Sequence, residues 1–223
     1  MTEPDPTLTQ PLLIDLPYVG SLAFHAMVLA HTPICIEVCE NFQKATFRNR
    51  AHIVGPNGIE RLSIPIEEGR GLRRQINKVE ISYAHRWPKL HWGALVAAYG
   101  RSPYFEYYKH DLKSLFDEPG KLLFDFNWKV MQTTWRLLGI KPTVKFTTDY
   151  YNPAPETWLD ARNAIHPNPE KDHSNALVKI AEYYQVFQDR HGFLANMCAW
   201  DLLFNEGPNA NNILKQMAKV PNP

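Results

Sequence analysis

The chain has 223 residues, 44% hydrophobic and 21% charged, enough apolar material for one sizeable core and no composition shift that calls for a second domain, so residues 1–223 read as one unit. Lys plus Arg total 24 against 23 Asp plus Glu, which sets nucleic acid aside as a partner because no global basic field exists to bind it independently of sequence. Three cysteines, Cys35, Cys39 and Cys198, are an odd count that builds no disulfide framework and suits a reducing cytoplasm; the polar, acidic Met1–Gln10 does not read as a secretory leader, and no apolar run reaches the ~20 residues of a membrane span.

Pro11 to Leu16 reads as a first strand, and Ser21 as the N-cap of a short apolar helix running through Phe24, Met27 and Val28 to His31, where Pro33 stops it. Ile34 to Val38 is short, β-branched and apolar, as expected of a buried parallel strand, and completes a βαβ opening. Phe47 to Val54 and Arg61 to Ile66 flank Gly55-Pro56-Asn57-Gly58, whose Asn-Gly pair predicts a hairpin turn. Glu67 to Lys78, with Gly69, Arg70, Gly71, Arg73, Arg74 and Lys78, reads as a basic loop leading into a strand at Val79 to Ser82; such a loop either faces water or closes over an anion.

From Pro88 to Gly139 the apolar period becomes helical, with Leu90, Leu95, Ala98 and Tyr99 in one helix, Leu112, Leu115 and Phe116 in a second, and Leu123, Phe126, Val130, Trp135 and Leu138 in a third. Gly100 and Gly139 are placed as stops. Val144 to Thr148 reads as a late strand, and Pro153, Pro155, Pro167 and Pro169 punctuate a region around a short helix at Glu156 to Ile165. Three closing helices use Leu177, Ile180, Tyr184 and Phe187; then Met197, Trp200, Leu203 and Phe204, ended by Gly207-Pro208; then Ile213, Leu214 and Met217. The fold class is therefore α/β: a βαβ opening, a mixed sheet including a hairpin, and a helix-rich C-terminal half that covers it.

Glu40 to Arg50 sets three cations and three side-chain amides among aromatic residues just before the hairpin. As an extended strand it would put Lys44, Thr46, Arg48 and Arg50 on one face and Ala45, Phe47, Asn49 and Ala51 on the other. Two guanidinium forks one pleat apart suit a diphosphate or a sugar acid; the competing reading is a solvated strand face. His91-Trp92, followed by Tyr99, Tyr104, Phe105, Tyr107 and Tyr108, forms an aromatic group that either packs in the core or stacks on a base or sugar while the imidazole moves a proton. Asp201, a carboxylate in an apolar stretch, either holds a partner such as an arginine or serves a site. Glu37 ends the second strand, where open α/β sheets present ligands, and is a candidate base or ribose contact.

No Gly-x-Ser-x-Gly elbow occurs, Gly69-Arg70-Gly71 lacks the rest of a phosphate-loop fingerprint, and Cys35 and Cys39 with His25 and His31 lack the ligand pairing of a zinc site, so no metal is expected.

These blocks resemble the WbqC-like family of bacterial proteins along nearly all of the chain. Tyr18-Val19-Gly20 is similar to the family's opening Tyr-Leu-Pro, with Gly20 where proline is usual and His25 where an aromatic is common. Glu40 to Arg50, with the hairpin through Asn57-Gly58 to Ser63-Ile64-Pro65, follows Glu-x-Tyr/Phe-x-Lys-x-Thr/Ser-aromatic-x-Asn-Arg and puts Lys44, Asn49 and Arg50 on family positions. Trp87, His91-Trp92, Ala98-Tyr99, Pro103, Phe105-Glu106 and Tyr108 resemble the helical block, and Arg162 with His166-Pro167 a later one. Asn196 to Gly207-Pro208 resembles the last, although Ala195-Asn196-Met197-Cys198 replaces the usual Pro-Asn-Leu-Ser.

The resemblance implies association with O-antigen and other surface-polysaccharide gene clusters, without a secure general reaction. Joined to the cationic segment, it implies a cytoplasmic protein that binds an anionic small molecule, a nucleotide sugar, and transfers a group onto it, for example by acylating an amino sugar. In that reading Lys44, Arg48 and Arg50 hold phosphates, Asn49 orients a hydroxyl or carbonyl, Tyr18, Trp92 and Tyr99 complete the binding surface, and His91, Glu37 and Asp201 are the catalytic candidates. The cofactor is unknown and a homodimer is left open. The competing reading is a non-catalytic binding or assembly protein of the same pathway.

Overall fold

The computed structural model describes residues 10–67 and 74–218. Strand β1 (Leu12–Asp15), helix α1 (Leu22–Ala30) and strand β2 (Ile34–Glu37) form the βαβ opening, with the two strands parallel and in register from Leu12 opposite Ile34 to Asp15 opposite Glu37. All eight strand residues are buried, as befits a parallel pair covered on both faces. Helix α1 begins at Ser21, whose extended backbone lets its Oγ accept the Phe24 N–H. Gly20, at φ +82°, is sterically required there: a β-carbon would lie 2.7 Å from His25 Nε2 and 2.9 Å from the Phe24 ring.

Strands β3 (Arg50–Gly55) and β4 (Gly58–Ser63) form an antiparallel hairpin, a two-stranded sheet of its own. Gly55 pairs with Gly58 and Arg50 with Ser63, so the loop is Pro56-Asn57 and it is Gly58 that takes the positive φ, 101°. The turn sits one residue earlier than Asn-Gly suggests because proline pre-sets the backbone of the first loop position.

Residues 44–49, expected to be extended, instead wind through turns with Ala45 at φ 63°. The face of Lys44, Thr46, Arg48 and Arg50 therefore does not form: Thr46, Phe47 and Arg48 are all buried while Lys44 is exposed. Local bonds hold the winding, Thr46 Oγ1 donating to the Gln43 carbonyl at 2.8 Å and Tyr18 N–H to the Phe47 carbonyl at 2.8 Å. The strand expected at Val79–Ser82 is reduced to isolated bridges, Glu80 to Leu122 and Ile66 to Ile81, after a 3₁₀ turn at Ile76–Lys78. Gly69, Arg70, Gly71 and Arg73 lie outside the described residues.

Three amphipathic helices follow, α2 (Trp87–Tyr99), α3 (Phe105–Asp117) and α4 (Leu123–Leu138), and Gly139 closes α4 at φ 67°. Strand β5 (Val144–Phe146) pairs with β2 and strand β6 (Leu159–Asp160) with β1, giving an all-parallel order β5-β2-β1-β6. The helix expected over Glu156–Ile165 is absent because the free edge of β1 recruits this segment: Leu159 N–H bonds the Pro11 carbonyl and Ala161 N–H the Leu13 carbonyl, each at 2.8 Å. Tertiary pairing overrides a weak local preference.

The last described helices are α5 (Gln188–His191), α6 (Ala199–Glu206) and α7 (Ala210–Met217). Helix α1, buried almost all round, packs against α6 and α7. No helix spans Leu177 to Phe187. Tyr183 and Gln185 both bond the Asp201 carboxylate, and residues two apart share a face only in extended chain. Among the described residues no helix is long and apolar enough to cross a membrane. The fold is α/β.

Candidate functional site

A cavity of about 460 Å³ opens where the hairpin leaves the turns of residues 44–49. Asn49 and Arg50 enter it from the start of β3, Ser63 from the end of β4, Phe42 and Lys44 from the preceding turns, and His85 from the stretch before α2. Asn49 Nδ2 donates to the Ile64 carbonyl at 2.8 Å, which pins the amide and leaves Oδ1 without a partner. Arg50 Nε and Ser63 Oγ are likewise buried and unpartnered. Each such group costs about 1–3 kcal/mol while unsatisfied, and all three belong to residues that line this cavity. Burial and then the neighbouring Arg61 charge lower the Arg50 pKa, and the guanidinium nonetheless stays charged.

His91 stands behind this wall. Its Nε2 lies 3.2 Å from the Ser63 carbonyl and its Nδ1 3.2 Å from the Tyr18 hydroxyl. A carbonyl only accepts, so Nε2 carries the proton and Nδ1 accepts from Tyr18. Burial pushes His91 down to about 4 despite the Ser63 carbonyl, and the ring is neutral at pH 7. Nε2 is committed to the end of β4 and Nδ1 to Tyr18, and neither His91 nor Tyr18 lines the cavity.

The carboxyl ends of β1 and β2 bring two carboxylates side by side, Asp15 and Glu37, with Glu40 close by. Arg48, 1% exposed, answers them: Nε and one terminal nitrogen grip Glu40 at 2.6 and 2.5 Å, and that nitrogen also meets Asn163 Oδ1 at 2.9 Å and Asp15 at 3.4 Å. Arg162 pairs with Glu37 at 3.0 Å and with Asp160 at 2.7 Å. Thr147 Oγ1 and Cys39 N–H donate to Glu37 at 2.7 and 2.8 Å, which leaves that carboxylate filled. Burial pushes Glu40 up to about 7 against the pull of Arg48. Arg48 thus serves internal pairs rather than the cavity. A neighbouring space of about 540 Å³, lined by residues 39–43 and Tyr150, shares Phe42 with the first.

Among the described residues Asp201 meets no arginine. It accepts from Tyr99 Oη at 2.6 Å, from Tyr183 Oη and from Gln185 Nε2 at 2.9 Å, and burial, outweighing these bonds, raises its pKa. Tyr99 in turn accepts the Val54 N–H at 2.9 Å, and Trp92 stacks on Phe105 with centroids 5.9 Å apart. These three belong to the helical core. Of the residues named from sequence, the cavity gathers Lys44, Asn49 and Arg50. It adds Phe42, Ser63 and His85, which site reasoning missed: Ser63 is readable only once the hairpin register is known, and nothing in the sequence singles out His85. Among the described residues no group of three or more His, Cys, Asp or Glu is arranged to hold a metal ion.

No curated protein and no solved structure matches this chain. A family model does, the WbqC-like protein family, over residues 16–168, a span that carries both β2 to β6 and the whole lining of the hairpin cavity. Since that match covers more than half of its length, the chain belongs to the WbqC-like family.

Proposed function

We propose that the protein binds a nucleotide-activated sugar of bacterial surface-polysaccharide synthesis in the hairpin cavity and takes part in transferring a group onto it in the cytoplasm. The observation that carries this reading is that Asn49, Arg50 and Ser63, each with a buried polar atom lacking a partner, line one space together with Lys44. Arg50 and Lys44 suit phosphate oxygens, Asn49 Oδ1 accepts from a sugar hydroxyl, and Phe42 and Ile66 offer apolar contact. His85, at the rim, is the imidazole within this space and the residue we assign to moving a proton.

A second reading, binding without turnover, is favoured by the internal commitment of His91 and Asp201. Titration calorimetry with a panel of nucleotide sugars tests the shared claim: Arg50→Ala weakens binding about 10- to 100-fold, the value of lost charge-assisted bonds. Binding that Arg50→Ala leaves intact, or no binding by any member of the panel, refutes the site. Mass analysis of the bound sugar after incubation with acyl donors separates the two readings.

A further inference from the structure

The register of the hairpin sorts its side chains. Arg50 and His52 of β3 lie opposite Ser63 and Arg61 of β4, so all of these share one face, while Ala51, Ile53 and Leu62 turn to the other and are buried. The His52 carbonyl accepts the Cys198 N–H at 2.9 Å and the Val54 N–H donates to Tyr99 Oη at 2.9 Å, so the backbone groups of these residues point away from β4. Their pairs with β4 are therefore the closely spaced kind, with α-carbons about 4.5 Å apart and side chains crowded together. His52 faces Arg61 across such a pair, and Arg50 is the diagonal neighbour of Arg61 at about 7–8 Å.

This placement sets like charges against each other. Burial first, then Arg61 and Arg50, hold the His52 imidazole below its usual range, and Arg61 adds to the effect of burial on Arg50. Among the described residues no carboxylate forms an ion pair with Arg50 or Arg61. Glu60, next in the chain, falls opposite Ile53 on the other face. Arg50 and Ser63 line the hairpin cavity, whereas Arg61 stands one pleat further along β4, exposed and outside that lining.

We propose, building on the cavity reading above, that the ligand carries two linked phosphoryl groups, the first held by Arg50 in the cavity and the second by Arg61 on the open face of the hairpin. The paired guanidinium forks expected of Arg48 and Arg50 along one strand are built instead across two strands, by Arg50 and Arg61. Two forks set a diagonal apart answer two anionic centres, while a single phosphate in the cavity leaves Arg61 without a counter-ion. Arg61 is thereby the residue that favours a diphosphate-linked sugar over one joined to its nucleotide by a single phosphate.

Titration of the full chain with inorganic pyrophosphate, inorganic phosphate and glucuronic acid 1-phosphate at one fixed ionic strength tests this, read through the Arg50 Nε–H signal in nitrogen-edited NMR. Pyrophosphate should bind about 10-fold more tightly than phosphate, and Arg61→Gln should cost pyrophosphate about 10-fold but phosphate less than about 2-fold, since one charge-assisted contact is lost. Circular dichroism confirms that the variant is folded. A pyrophosphate affinity that Arg61→Gln leaves unchanged, an equal loss for both inorganic anions, or a dependence on Arg61 seen with glucuronic acid 1-phosphate and not with pyrophosphate overturns the role of Arg61 while the anion site of the cavity stands. An Arg50 signal that none of the three anions shifts overturns the cavity reading itself, and this inference with it.

Discussion

Replacing Arg48 by methionine tests whether the Glu40–Arg50 segment is held by its buried ion pair. The guanidinium is 1% exposed and grips Glu40 through two bonds of 2.6 and 2.5 Å, with Asp15 at 3.4 Å and Asn163 Oδ1 at 2.9 Å. Methionine fills much of the volume but leaves two buried carboxylates uncompensated. Breaking one buried pair costs about 3–5 kcal/mol, and at about 2–4 °C per kcal/mol for a chain of this size the melting temperature should fall by about 6–20 °C at pH 7. Adding Glu40→Gln removes the charge left behind and should recover part of that loss, a positive coupling in the double-mutant cycle. Differential scanning calorimetry of the four proteins measures this. A single variant that melts within about 2 °C of wild type, or a double variant with purely additive loss, would show that turn bonds rather than the ion pair fix the segment.

Gly20→Ala combines a left-handed backbone with a β-carbon 2.7 Å from His25 Nε2, displacing the ring from the Val19 carbonyl it meets at 3.1 Å. The cost should be about 2–4 kcal/mol by urea unfolding, and an unchanged midpoint would refute it. His25 and His91, both pushed down to about 4 by burial, should show flat ring shifts from pH 8 to pH 6 by NMR; an inflection in that interval contradicts the assigned bonds. For these two histidines the folded pKa lies below the unfolded 6.5, so their stabilisation is complete above pH 6.5 and is lost as pH falls towards about 4. Glu40 acts oppositely: raised from 4.5 to about 7, it favours the fold below pH 4.5 and this is lost as pH rises through about 7, so Glu40→Gln should be relatively most beneficial above pH 7.

Sequence alone settled what short-range chemistry controls. Ser21 as a cap, Gly139 as a left-handed stop, the apolar run Ile34–Glu37 and the helical periods of α2 to α4 are each written in neighbouring residues, because the groups that satisfy them lie within a turn or a pleat. The cationic block was visible on the same terms, and Lys44, Asn49 and Arg50 do meet in one cavity. What distant partners decide could not be read locally. Residues 159–160 became a strand because the edge of β1 needed backbone partners. Tyr183 and Gln185 stay extended because a carboxylate in α6 draws both. Arg48 was withdrawn from the candidate site by Asp15 at the end of β1 and by Glu40 beyond β2, and Ser63 was delivered to that site by a hairpin register that depends on which residue of Pro56-Asn57-Gly58 opens the turn.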